Sequence, residues 1–131
     1  MRLWEVTPDG NCLFSAATVC VLYTGDDICE EIIREHALQL REDVVKFMKQ
    51  HKDRFVPFMT HDFEEYMREI EKPHTWGGEA ELLAIANVMN RQVHVYTENN
   101  GVLVKFCEYG DKRANAISLF FKSRHYNALL P

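Results

Sequence analysis

No stretch of this chain approaches the run of about 20 apolar residues that a bilayer-spanning helix requires, so the sequence predicts no membrane segment. Basic residues are in deficit: 15 Lys and Arg stand against 20 Asp and Glu. The resulting net charge of −5 argues against a nucleic-acid partner, which calls for a basic face. Four cysteines are present, but none forms a Cys-X-X-Cys pair. Cys12, Cys20, Cys29 and His36 are spaced 8, 9 and 7 apart, which fits no zinc template, so no metal is expected. Nothing before Cys12 reads as a secretory leader, because Arg2 and Glu5 interrupt a segment that is too short. Internal repeats, low-complexity tracts and linkers are also missing. With 131 residues, 47% of them apolar and 27% charged, the chain reads as one compact domain over 1–131.

What the chain does have is a cysteine in a telling place. In Pro8-Asp9-Gly10-Asn11-Cys12-Leu13-Phe14 a polar turn with a glycine gives way to an apolar run, which is how a nucleophile is mounted on a helix N-terminus. There the positive end of the macrodipole favours thiolate over thiol. A free thiol has a pKa of about 8.5, and such a setting with an imidazolium neighbour brings it to roughly 3.5–7.5, so a lowered pKa is expected for Cys12. The remaining cysteines, Cys20, Cys29 and Cys107, read as structural.

A nucleophilic cysteine needs a base. Of six histidines, His125 stands out because it comes after a strand-like run and has Asn127 two residues on. In an extended segment, side chains at i and i+2 share a face, so Asn127 can orient one ring nitrogen while the other meets Cys12. His36, His51, His61, His74 and His94 read as helix-face, loop or strand residues.

Three strings occur in order: Asp9-Gly10-Asn11-Cys12-Leu13-Phe14, Trp76-Gly77-Gly78-Glu79 and His125-Tyr126-Asn127. In that order and spacing the chain resembles an ovarian tumour (OTU) domain, a papain-like deubiquitinating cysteine protease. The resemblance covers nearly the whole chain and implies an α+β fold with a central twisted sheet packed against helices. It makes Cys12 the nucleophile, His125 the general base and Asn127 the residue orienting the histidine, with Asp9 as catalytic support. Candidates for the oxyanion hole are the backbone N–H groups of Gly10, Asn11 and Cys12, since Gly10 lets the turn curl its amides toward one point. Ser15 departs from the arginine or histidine often found there in the family. Trp76, Gly77 and Gly78 are candidates for the wall of a substrate-tail channel, with a simple turn and aromatic plug as the other reading.

The resemblance further implies hydrolysis of the bond after the C-terminal glycine of ubiquitin through a Cys12 thioester, with no cofactor. Ubiquitin or polyubiquitin is then the partner, neither nucleic acid nor membrane is one, and the enzyme is a monomer. The acidic balance suits the arginines in ubiquitin's tail, though net charge mostly reports solubility. A mechanism that needs a free thiol places the protein in a reducing compartment, the cytoplasm or a host cytosol if it comes from a pathogen. Two alternatives stay open: a cysteine amide hydrolase acting on a ubiquitin-like modifier, and a catalytically silent ubiquitin-binding module. The short tail after Asn127 is compatible with a domain excised from a longer protein.

Periodicity supplies the elements. Residues 3–7 read as a short strand or extended lead-in, and Leu13, Ala16, Ala17, Cys20 and Val21 as the buried face of a helix ended by Thr24-Gly25-Asp26. Asp27 and Glu30 read as a capping box for a second helix with Ile28, Ile32, Ile33, Ala37, Leu40, Val44 and Phe47 inward. Pro57 breaks the chain after that helix, and Thr60 is the expected cap of a third helix stopped by Pro73. This arm, 27–75, offers no catalytic candidate, and its expected role is to cover the sheet. A helix from Gly78 onward precedes strands at 91–96, 102–109, 116–121 and 126–130, with Asn99-Asn100-Gly101 as a hairpin turn.

Overall fold

The computed structural model describes residues 1–60 and 62–131; the expectation for His61 lies outside the described residues. Five helices and five strands are described: β1 (Arg2–Trp4), α1 (Cys12–Leu22), α2 (Glu30–Gln50), α3 (Lys52–Phe55), α4 (Phe63–Ile70), α5 (Glu79–Met89), β2 (Gln92–Asn99), β3 (Val102–Tyr109), β4 (Ala116–Lys122) and β5 (His125–Leu130). A single 3₁₀ turn, Val56–Phe58, carries Pro57. The α+β architecture expected from the sequence is present.

The sheet has the order β1-β5-β4-β2-β3. All neighbours are antiparallel except β2 and β4, which run parallel with Val93 opposite Ile117 and Val95 opposite Leu119. Alternation decides which face is buried: Val93, Val95, Ile117, Leu119, Tyr126 and Ala128 all turn inward. Two helices lie directly on this face, α1 against β5 and β4, and α5 against β2 and β3. The expectation that the 27–75 arm covers the sheet needs correcting, because α2 packs chiefly on α1 and α5 and forms an outer layer. Helix α1 is therefore sandwiched, which is why Leu13, Phe14, Ala16, Ala17 and Val19 are all fully buried rather than forming one stripe. Burying a side chain such as Leu13 or Phe14 contributes roughly 1.5–3 kcal/mol each. Val21, expected inward, is exposed at the solvent end of the helix.

Two helix starts differ from expectation. Helix α2 begins at Glu30, with Cys29 in the cap position and no side-chain cap. The Glu30 carboxylate accepts the Thr7 hydroxyl at 3.3 Å, so it is turned away from the capping box read at Asp27. For α4 the cap is Asp62, whose carboxylate accepts from the Glu65 N–H at 3.2 Å, rather than Thr60. Among the inward residues expected of α2, Ile32 is exposed, and Arg41 is buried instead.

Two turns set the strands. Asn100 and Gly101 both have positive φ, 52° and 79°, the backbone of a type I′ hairpin between β2 and β3. The β4–β5 turn repeats this at Ser123 and Arg124, with φ of 53° and 61°. Neither residue is glycine or asparagine, so the turn immediately before His125 carries backbone strain of order 1 kcal/mol or more per residue. Replacing the pair by Asn-Gly (Ser123→Asn, Arg124→Gly) is expected to raise stability by about 1 kcal/mol. A thermal melt checks this; an unchanged or lower midpoint would contradict the strain.

Candidate functional site

Helix α1 starts at Cys12 because the preceding turn is closed by side chains and backbone together. The Asp9 carboxylate accepts from the Asn11 N–H at 2.9 Å, an Asx turn, and the Cys12 N–H reaches the Asp9 carbonyl at 3.3 Å. Gly10 is required for a reason other than the free curling read from the sequence. A Cβ there would lie 1.5 Å from the His74 carbonyl oxygen, so the turn passes directly over the 74–78 loop.

Cys12 is 1% exposed. Burial is the largest influence on its thiol and raises its pKa, and the Asp9 charge raises it further. The backbone N–H groups of Tyr126, Leu13 and Cys12 act the other way but do not prevail. The lowered pKa expected from the helix N-terminus is therefore corrected: desolvation outweighs the helix amides and pushes the thiol up. Of the three candidate oxyanion donors, the Asn11 N–H is held by the Asp9 carboxylate at 2.9 Å and the Cys12 N–H more loosely by the Asp9 carbonyl at 3.3 Å, so those of Gly10 and Cys12 are the less committed.

At the other side, β5 carries His125 and Asn127 on one face, as the i, i+2 reading predicts. The Asn127 Oδ1 lies 2.8 Å from His125 Nε2 and also accepts the Val6 N–H at 2.9 Å. The backbone donor settles which amide atom is oxygen, because a side-chain NH₂ could not accept it. His125 Nε2 must then carry a proton toward Asn127, leaving Nδ1 with the lone pair in the neutral ring. The fold brings Cys12 to this strand: its thiol sits against the Tyr126 N–H, the residue between His125 and Asn127.

The 74–78 segment joins the two halves. The Trp76 indole N–H donates to the Arg124 carbonyl at 2.8 Å, and its ring stacks on Tyr126 and leans on Phe121. Trp76 thus holds the strained turn that delivers His125 while remaining 43% exposed. Gly77 packs on α1, where a Cβ would come within 2.9 Å of Leu13. Gly78 starts α5, its N–H donating to Glu81 Oε1 at 2.7 Å. In the Trp-Gly-Gly string the two glycines are packed against α1 and α5, and the Trp76 ring is the exposed part. Beyond it, Phe121 and Tyr126 line a groove of about 220 Å³ with Glu79, Cys107 and Tyr109.

Sequence reasoning missed two buried charges. Glu81 is fully buried beneath Gly78, its carboxylate accepting the Tyr66 hydroxyl at 2.7 and 2.8 Å, and burial raises its pKa. Arg41 is 2% exposed, stacked over the Phe14 ring at 4.4 Å, and burial lowers its pKa to about 10. The signal for Arg41 was available: it lies four residues after Ala37 and three before Val44, on the apolar face of α2. Among the other cysteines, Cys20 donates to the Ser118 carbonyl at 3.3 Å, Cys107 is half-buried and Cys29 is exposed, so packing accounts for Cys20 better than for Cys29. Among the described residues no cluster of three His, Cys, Asp or Glu is placed to hold a metal.

A model of OTU-like cysteine proteases matches residues 7–127, a span that includes Cys12, His125 and Asn127. The chain belongs to that family. Among similar OTU proteins is the "OVARIAN TUMOR DOMAIN-containing deubiquitinating enzyme 4" of Arabidopsis thaliana, 32% identical over 129 residues, covering 93% of this chain and 41% of the relative. OTU domain-containing protein 2 of Saccharomyces cerevisiae is 26% identical over 141 residues, with 98% of this chain and 45% of the relative covered. This OTU chain thus spans less than half the length of these two curated relatives. The solved OTU domain of OTUD1 superposes with a TM-score of 0.79 at 29% identity, covering 97% of this chain and 83% of that one. An OTU domain solved in complex with ubiquitin has the same fold, with a TM-score of 0.72 at 22% identity over 97% of this chain and 67% of that one.

Because burial and Asp9 both raise the Cys12 pKa, alkylation of Cys12 by iodoacetamide, read by peptide mass spectrometry, is expected to accelerate with pH through and beyond pH 8. An inflection between pH 4 and 7 would contradict it. Asp9→Asn keeps an oxygen for the Asn11 N–H but removes the charge, so alkylation at fixed pH is expected to quicken.

Proposed function

We propose that this chain is a deubiquitinase domain that cleaves isopeptide or peptide bonds after the C-terminal glycine of ubiquitin. The observation that carries the reading is the Asn127 Oδ1 held between the Val6 N–H and His125 Nε2, which leaves His125 Nδ1 as a base beside the strand that Cys12 touches. Family membership and relatives described as deubiquitinating support the substrate class.

In this reading a resting thiol suits the chemistry. His125 Nδ1 takes the Cys12 proton as the sulfur attacks the glycine carbonyl, so an ion pair need not persist in a buried site. The oxyanion is received by the N–H groups of Gly10 and Cys12. His125, now an imidazolium, gives its proton to the departing lysine amine, and the C–N bond breaks to leave a thioester. Water then attacks with His125 as base, releasing the ubiquitin carboxylate and restoring the thiol. Asp9 shapes the turn rather than joining the triad, since its carboxylate is engaged by Asn11. Trp76 forms one wall of the tail channel, with Gly77 and Gly78 fixing its position. Residues 1–131 act as one catalytic domain, monomeric and without a cofactor, in a reducing compartment such as the cytoplasm; four free cysteines accord with that setting. No described helix is long and apolar enough to cross a membrane.

Incubation with ubiquitin bearing a C-terminal electrophile is expected to add one ubiquitin to the intact mass, and Cys12→Ala to abolish the adduct. His125→Ala is expected to cost about 10²–10⁴ in kcat on a ubiquitin substrate, and Asn127→Ala less. A folded wild type that takes no ubiquitin overturns the reading; labelling by a ubiquitin-like probe then points to that modifier, and labelling by neither to a silent binding module.

A further inference from the structure

We propose that Arg41 is a positioning residue for the hydrolysis, whose buried guanidinium fixes the peptide plane of the oxyanion turn ahead of Cys12. The inference rests on the protease reading of Cys12 given above, and it assigns a role to the helical arm that otherwise has none in the chemistry.

Every hydrogen bond described for Arg41 goes to a neutral acceptor in one of two segments that flank the nucleophile. Nη2 donates to the Gly10 carbonyl at 3.0 Å, the Asn11 Oδ1 at 2.9 Å and the Thr75 carbonyl at 2.8 Å. Nε donates to the same Asn11 Oδ1 at 3.0 Å, and Nη1 to the Ile70 carbonyl at 2.9 Å. None of these hydrogen-bond partners is a carboxylate, although Glu81 and Asp9 stand near enough for their charges to act on the guanidinium. A buried cation placed only for packing would be expected to take a counter-charge within bonding reach, since desolvation is otherwise costly. Here the charge serves instead to gather carbonyl oxygens, including the free C-terminal carbonyl of α4.

The consequence for the turn comes from peptide geometry. In a trans peptide the C=O and N–H point in opposite directions. Arg41 holds the Gly10 carbonyl from the inside, and Asp9 holds the Asn11 N–H of that same peptide from the outside at 2.9 Å. The Gly10–Asn11 peptide is thereby clamped at both ends, with its own N–H withdrawn from the site. The donors on either side, Gly10 N–H and Cys12 N–H, are left in a fixed relation to the thiol. The Asn11 side chain, 5% exposed and gripped by two guanidinium nitrogens, prevents rotation about the residue joining them. By reaching Thr75 with the same nitrogen, Arg41 also sets the turn's distance from the loop that carries Trp76.

A lysine keeps the charge but not the planar fork, and cannot meet both segments at once. Arg41→Lys is therefore expected to lower kcat on a ubiquitin substrate by about 10- to 100-fold, the scale of a small misplacement of reacting groups, with KM within threefold of wild type. Asn11→Ala leaves Arg41 its three carbonyls and is expected to move kcat in the same direction. This second variant keeps the test open if Arg41→Lys does not fold. Alkylation of Cys12 by iodoacetamide needs no oxyanion donor, so its rate in both variants is expected to match wild type.

A loss of kcat matched by an equal loss of alkylation, a rise in KM at constant kcat, or wild-type kinetics in a folded variant would each overturn the proposal. Amide hydrogen exchange separates its fate from that of the ubiquitin reading. If wild type cleaves no ubiquitin substrate, faster exchange confined to the 9–12 and 70–76 segments in the variants still supports the clamp, and unchanged or global exchange overturns it.

Discussion

One carboxamide oxygen, that of Asn127, ties the start of the chain to its end and sets the state of the histidine between them. It accepts the Val6 N–H and faces His125 Nε2, so the lead-in to the Cys12 turn and the strand bearing the base share a single acceptor. The arrangement explains why β1 pairs with β5, Trp4 opposite Ala128, although 124 residues separate them: the sheet edge brings Val6 to Asn127. It also explains how a neutral amide serves in place of a carboxylate, because the task is to choose a tautomer rather than to supply charge.

Around that contact the site is held by buried polar groups at positions where an apolar core would be simpler. Arg41, Glu81 and Tyr66 cost desolvation, and each charge taken from water costs several kcal/mol before its partners are counted. Arg41 reaches the Gly10, Thr75 and Ile70 carbonyls and the Asn11 side chain, and Glu81, itself bonded by Tyr66, accepts the Gly78 N–H, so the two buried charges hold the loops on either side of Cys12. Loops positioned by a rigid scaffold are the usual carriers of function, and here the scaffold reaches them through side chains buried in the helical layer. Strain at Ser123 and Arg124 belongs to the same pattern: it sits beside His125 and is held down by the Trp76 indole.

Much of this was legible in the sequence, for identifiable reasons. Strand limits near 102–109 and 116–121 came through because alternation and the Asn100-Gly101 turn agree with each other, and agreement between local signals is what fixes a register. Pairing of His125 with Asn127 needed only the two-residue period of a strand. Other features depended on contacts no local pattern encodes. The start of α2 was misplaced because Glu30 is drawn to Thr7 across the fold, and the Ser123-Arg124 turn was invisible because its residues are not those that favour positive φ. Thiol acidity was misjudged for a deeper reason: the helix N-terminus is written in the sequence, whereas the burial that outweighs it is a property of the packed whole. Arg41 drew no reading from the sequence and is the charge on the inner face of α2.

The most direct test of this account is the protonation of the two His125 ring nitrogens in the neutral imidazole, read from their ¹⁵N shifts in histidine-labelled protein, with His125→Gln to assign the signals. A ring protonated at Nε2 and bare at Nδ1, lost in Asn127→Ala, is the predicted result. A ring protonated at Nδ1 would leave no base for Cys12 and contradict the account at its centre.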